Sequence, residues 1–193
     1  MLNNSLVEKL WAEIEQKYST KKRHYHTLVH LENLNKHLRG VKSDIEDWDT
    51  IVFTLFYHDI VYNTLKSDNE EKSAGLAGKR LIEINLPGDK IASCIRQILA
   101  TKTHLVSIEN DTNLFTDADL SILGQPPETY KTYCKEIRKE YAIYPDVIYN
   151  PGRKKVLAHF LQMERIFKTK PFYDAFEKQA RINIVYEMNT LNT

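Results

Sequence analysis

The chain has 193 residues, 42% of them hydrophobic and 27% charged, enough apolar material for one domain with a substantial core and no need of disulfides. Lys plus Arg number 27 against 26 Asp plus Glu, so there is no field of one sign to attract nucleic acid or a membrane surface, and a small ligand fits better. No apolar run is long enough to span a membrane, Met1-Leu2-Asn3-Asn4-Ser5 leads into a charged amphipathic pattern rather than an apolar signal region, and Cys94 and Cys134 form no Cys-x-x-Cys pair; the sequence predicts a reducing, cytoplasmic setting.

Helical periodicity recurs along nearly the whole chain while two-residue alternation is almost absent, which predicts an all-α, single-domain helical bundle over 1–193. Leu6, Leu10, Ile14 and Tyr18 follow the capping-box pattern Ser5-x-x-Glu8 and make the first helix. A second runs from about His26 to Arg39 and stops at Gly40, the residue best able to turn left-handed after a helix. Ser43-x-x-Glu46 starts a third, with Trp48, Ile51, Val52, Leu55 and Phe56 as its apolar side and His58-Asp59 in its last turns. Ser67-x-x-Glu70 opens a fourth through Ala74, Ala77, Leu81 and Ile84, closed by Leu86-Pro87-Gly88-Asp89. Ile91, Ile95, Ile98 and Leu99 mark a fifth, after which Thr103 to Asn113 reads as a polar connection. Asp117 to Leu123 is a short helix ended by Gly124, and Pro126-Pro127 begins the next, carrying Tyr130, Tyr133, Cys134, Ile137 and Tyr141. A break at Tyr144 to Gly152 precedes a helix through Val156, Leu157, Phe160, Leu161 and Ile166, and Pro171 starts the last, with Phe172, Phe176, Ala180, Ile184 and Met188.

His58-Asp59 at the end of the apolar run Ile51 to Tyr57 carries the most chemical information. Burying an uncompensated carboxylate costs several kcal/mol or forces it to protonate, whereas a divalent cation keeps Asp59 charged and His58 neutral. Adjacent residues on a helix differ by about 100° in direction, so one ion meets both only with a further ligand from another helix. His30 can supply it from the second helix and Asp119 from the short one, giving two imidazoles and two carboxylates, a set suited to Mn, Fe, Co, Ni, Mg or Zn. His26 and His30 are four apart and share one helix face.

The order His30, His58-Asp59, Asp119 resembles the H...HD...D signature of the HD-domain superfamily of metal-dependent phosphohydrolases, and several stretches resemble an uncharacterised branch of predicted phosphohydrolases within it. These are Arg23-x-Tyr25-His26-x-x-x-His30, Phe56-Tyr57-His58-Asp59-x-x-Tyr62, Asn69-Glu70-x-x-Ser73-Ala74 and Asp117-Ala118-Asp119-Leu120-x-x-Leu123-Gly124, with later segments at Arg138-x-Glu140-Tyr141, Gly152-Arg153 and Ala180-Arg181-x-Asn183. The resemblance implies an all-α fold and metal-dependent hydrolysis of a phosphate ester in a small, nucleotide-like substrate. It implies His30, His58, Asp59 and Asp119 as metal ligands, with Asp119 favoured over its competitor Asp117 by the Ala-Asp-Leu-Ser context. By the Tyr-His-x-x-x-His arrangement of cyclic-nucleotide phosphodiesterases, it implies His26 as a proton donor. Position 63, where those phosphodiesterases carry a further His, is Asn63, which speaks against a second metal there.

The remaining candidates each have a plainer reading. Glu70 either completes its capping box or orients a water, and His104 beside Thr101-Lys102-Thr103 either meets a substrate phosphate or is simply exposed. Arg23 and Lys102 are candidates for neutralising phosphate charge, against an ordinary solvated basic role. Arg138, Arg153 and Arg181 read as ion-pair locks of the C-terminal helices, the tyrosine stripe as core, and Cys134 as a thiol without a catalytic partner. The alternative function is a non-catalytic metal- or nucleotide-binding regulatory module on the same scaffold. A nucleic-acid adaptor built on Lys21-Lys22-Arg23 and Arg153-Lys154-Lys155 runs against the balanced charge.

Overall fold

The structure, a computed structural model, describes residues 4–191; the Met1-Leu2-Asn3 opening lies outside the described residues. Among these there are nine α-helices and no strand, so the protein is all-α. The helices are α1 (Asn4–Tyr18), α2 (Leu28–Gly40), α3 (Trp48–Tyr57), α4 (Asn69–Glu83), α5 (Gly88–Ala100), α6 (Asn110–Leu120), α7 (Pro127–Glu140), α8 (Asp146–Gln162) and α9 (Lys170–Thr190). The chain groups into two compact units, Met1–Thr116 and Asp117–Thr193. No helix among the described residues is long and apolar enough to cross a membrane.

In the first unit α3 packs on α2, α4 and α5, and α4 lies along α5. The buried residues follow the helical period the sequence displays: Leu31, Leu34 and Leu38 from α2, Ile51 and Leu55 from α3, Ala74, Ala77 and Leu81 from α4, Cys94 and Ile98 from α5. Arg80 of α4 reaches α1 through a two-pronged bond to Glu13, at 2.8 and 2.7 Å. In the second unit α9 runs against α7, α8 and a 3-10 turn at Ser121–Gly124. Gly124 is required there by space: a Cβ would fall 2.5 Å from the Phe176 Cβ and 2.8 Å from its Cα. Asn183 of α9 fastens the same turn by donating to the carbonyls of Leu123 and Gln125, both at 2.8 Å.

Four expectations for local structure are corrected. The third helix is capped by Asp47, which accepts from the Thr50 N–H, rather than by Ser43, which sits in a 3-10 turn at Lys42–Asp44. Gly40 is the last residue of α2, and no described glycine has a positive φ; the left-handed residue before α5 is Asn85, at φ 55°. The stretch predicted as a polar connection is helical from Asn110. Its polar side chains serve the fold: Asp111 accepts from the Glu46 and Asp47 N–H groups at 2.9 and 2.8 Å, and Thr116 bonds back to the Thr112 carbonyl at 3.0 Å. Finally, α8 begins at Asp146 and continues through Pro151, so the break expected over 144–152 is a short turn at the front of the helix.

The C-terminal arginines close their unit by ion pairs. Arg153 meets both oxygens of Glu187, at 2.8 and 3.1 Å, and donates to the Tyr133 hydroxyl at 3.1 Å, while the Tyr130 hydroxyl donates to Glu187. Burial works against both charges, but the contact with Arg153 holds the Glu187 carboxyl below its ordinary range. Burial pushes the Cys134 thiol up to about 12, which keeps it protonated. Arg181 pairs with Glu177 at 2.7 Å, and Arg138 with Asp146 at 2.7 Å.

Candidate metal centre

The centre is built around the end of α3. His58 is the C-cap residue, its N–H still bonded to the Thr54 carbonyl, and its ring folds back so that Nδ1 donates to the Leu55 carbonyl at 2.9 Å. The last carbonyls of a helix have no partner within it, and here one of them is met by the imidazole. A carbonyl can only accept, so the ring proton sits on Nδ1 and Nε2 offers its lone pair. This is the tautomer, and the kind of supporting hydrogen bond, that a metal-ligating histidine uses.

Two further groups crowd that lone pair. His30 Nε2, on the first turn of α2, lies 3.2 Å from His58 Nε2, and Asp59 Oδ2 lies 3.2 Å from the same atom. Two nitrogens bound at about 2.1 Å to one ion are separated by about 3.0 to 3.4 Å, depending on whether the geometry is octahedral or tetrahedral. The observed spacing falls inside that window. A carboxylate oxygen facing an imidazole lone pair at this distance is repelled unless a cation or a proton lies between them.

The third close ligand comes from α6. Phe115 packs edge-on against the His58 ring, with centroids 5.6 Å apart, and Asp119 follows one turn later on the same helix face. The ligand atoms of His30, His58 and Asp119 all lie within 4.8 Å of one another, a group able to hold a metal ion. Asp117 points elsewhere, as two residues on a helix are about 200° apart in direction. It is fully buried and accepts from the N–H groups of Lys168 and Thr169 at 3.0 and 2.7 Å and from the Thr169 hydroxyl at 2.7 Å. The Lys168 ammonium, itself buried, lies 3.2 Å from Asp117 Oδ1. Asp117 therefore anchors the start of α9, and Asp119 is the one of the two aspartates that lies with His30 and His58.

His58 is 1% exposed and Asp59 20%, so the group opens on the Asp59 side. There His26 Nε2 stands 3.7 Å from Asp59 Oδ2, and the Tyr62 ring lies 4.3 Å from the His26 ring at a 33° tilt. Tyr25 contacts the His26 and His30 rings, each at 4.9 Å between centroids. Asp59 thus bridges His58 and His26, at the edge of the closely spaced trio. Glu70, in the first turn of α4, is half-buried, and burial pushes its carboxyl up with the Asp59 charge acting in the same direction.

The remaining candidates have these partners. Arg23 is 8% exposed and donates to the carbonyls of His26 and Ile60 at 3.2 and 3.0 Å. Lys102 is ion-paired with Glu71 and donates to the Ser67 carbonyl at 3.0 Å. His104, in the turns that follow α5, has left-handed backbone, φ 54°, with its N–H on the Ala100 carbonyl at 2.9 Å. Asn63 is built into a turn: its Oδ1 accepts from the Leu65 N–H, and its main chain exchanges two 3.0 Å bonds with Asn69.

Sequence reasoning missed three supports. The buried Ser73 hydroxyl bridges the N–H and carbonyl of Val61, at 3.1 and 3.3 Å, fixing the turn that carries Asp59. Tyr62 beside His26 and the Lys168–Asp117 pair are the other two. Tyr62, Ser73 and Asp117 left a trace, through their places in the His58-Asp59-x-x-Tyr62, Asn69-Glu70-x-x-Ser73-Ala74 and Asp117-Ala118-Asp119-Leu120 stretches, while Lys168 left none. No family model, curated protein or solved structure matches the chain.

Proposed function

We propose that this protein is a metal-dependent phosphohydrolase of the HD-domain type, acting on a phosphate ester in a small, nucleotide-like molecule. The observation that carries the reading is the 3.2 Å approach of His30 Nε2 to His58 Nε2 while His58 Nδ1 is committed to the Leu55 carbonyl. In this reading His30, His58 and Asp119 would hold the ion, with Asp59 at its edge, and the mixed nitrogen and oxygen donors suit Mn, Fe, Co, Ni, Mg or Zn. A divalent cation there supplies charge for the phosphoryl oxygens and a lowered pKa for the attacking water.

The chain's own groups handle the protons. Asp59 orients the attacking water and, through Oδ2, faces His26 Nε2. His26 donates its Nε2 proton to the leaving oxygen, and its position at the open side of the group suits that task. Glu70, its carboxyl pushed up by burial, stands close enough to the Asp59 charge to feel it and is a candidate to orient a water there.

The test is phosphate release across a panel of phosphomonoesters and phosphodiesters, with the protein reconstituted separately with Mn, Co, Ni, Mg and Zn. Turnover with at least one metal, lost in His58→Ala and falling by about 100-fold or more in His26→Ala, is expected. Tight metal binding with no release on any member would instead favour the regulatory-module reading.

A further inference from the structure

His26 and Asp59 sit on segments that no helix holds. His26 precedes α2, and Asp59 follows the end of α3. Their mutual geometry therefore needs an element that touches both, and Arg23 is that element. One arm of its guanidinium, Nη1, donates to the carbonyl of His26 itself, and the other, Nη2, to the carbonyl of Ile60, the residue after Asp59. The planar fork carries two donors in fixed relation, so it sets the separation of the two segments in a way that a single flexible ammonium does not. The group is buried, and its carbon lies 4.6 Å from the Tyr18 ring centroid and 5.4 Å from that of Tyr62. Tyr62 in turn lies against the His26 ring.

We propose that Arg23 and Tyr62 are positioning residues that set the His26 imidazole against Asp59, Arg23 by bridging the two main-chain segments and Tyr62 by backing the ring. The assignment rests on the phosphohydrolase reading only for its catalytic consequence; the brace itself is a matter of geometry. It also moves Arg23 from a substrate-phosphate contact to a support, because both terminal nitrogens of the fork are engaged with carbonyls of the protein.

The test uses the full chain carrying Arg23→Lys, which keeps the charge but not the fork, and Tyr62→Leu, which keeps apolar bulk but not the ring. Histidine side-chain NMR spectra at one fixed pH, zinc affinity by calorimetry, and kcat and KM on an ester that the wild type hydrolyses are compared. In both variants the His26 ring signals shift or broaden while those of His58 stay in place, and zinc affinity stays within about threefold, since the ligands are untouched. Turnover falls about tenfold or more with KM within about twofold, as a misplaced proton donor requires. A raised KM at unchanged kcat in Arg23→Lys would mean that Arg23 binds substrate directly, and unchanged His26 signals in both variants would remove the brace. A wild type silent on every ester sinks the phosphohydrolase reading, and the NMR comparison then still decides the brace.

Discussion

The Arg153–Glu187 cluster of the second unit and the histidine–carboxylate group around His58 are both buried and polar, yet they settle their charges in opposite ways. Around Glu187 donors meet acceptors: a guanidinium on both oxygens, and a phenol donating to the same carboxylate. Around His58 a second imidazole nitrogen and a carboxylate oxygen converge on one imidazole nitrogen, each at 3.2 Å. A buried polar cluster that is complete in its own donors is a structural device, whereas imidazoles and a carboxylate at this spacing are a group that could hold a cation. The same contrast appears within one helix: Asp117 is filled by N–H, hydroxyl and ammonium donors, while Asp119 joins the histidines.

The largest effect that separates the two clusters is expected in the second unit. Glu187→Ala leaves the Arg153 charge buried and unpaired and should lower unfolding free energy by about 3–5 kcal/mol, measured by denaturant titration, with metal affinity unchanged. If affinity fell in step with stability, the two clusters would not be separable in function. The two aspartates of α6 sharpen the same comparison. Asp117→Ala should destabilise the chain by about 2–4 kcal/mol and keep its metal, because it strips the start of α9 and leaves the Lys168 ammonium without its partner. Asp119→Ala should do the reverse, weakening metal binding by about 100-fold or more with little change in the stability of the metal-free chain.

The smallest effect concerns Glu70. Its folded carboxyl is raised by burial, so the folded state holds its proton more tightly than the unfolded state does. Stability therefore falls as pH rises from the ordinary carboxylate range through the raised value, and the cost is absent in more acidic solution, where both states are protonated. Glu70→Gln should be slightly more stable than the parent at neutral pH, with the difference closing below about pH 4. A difference that grew in acid would place the carboxyl in a different environment.

Much of this contrast is visible in the residues alone, for physical reasons. Helices whose apolar side chains recur every three or four positions, such as α2 and α4, declare themselves because packing rewards that period. The front of α6 is hidden, since its Asp111 and Thr116 satisfy backbone groups by tertiary and local bonds that composition does not reveal. Pro151 lies within the stretch read as a break, yet α8 runs through it even though its ring leaves the carbonyl one turn back without an N–H donor. At the site, residue type and the H...HD...D order point in the sequence to His30, His58, Asp59 and Asp119, and three of these, His30, His58 and Asp119, form the close group. Supports such as Ser73 and the fork of Arg23 act through main-chain carbonyls and amides, which carry no sequence signature of their own.

The most direct test is a crystal of the full chain grown with manganese and measured on both sides of its absorption edge. The account predicts one anomalous peak bounded by His30 Nε2, His58 Nε2 and a carboxylate oxygen of Asp119, and no such peak in an isomorphous crystal of Asp119→Ala. A peak held by Asp117 instead, or none in the manganese-replete wild-type crystal, would contradict it.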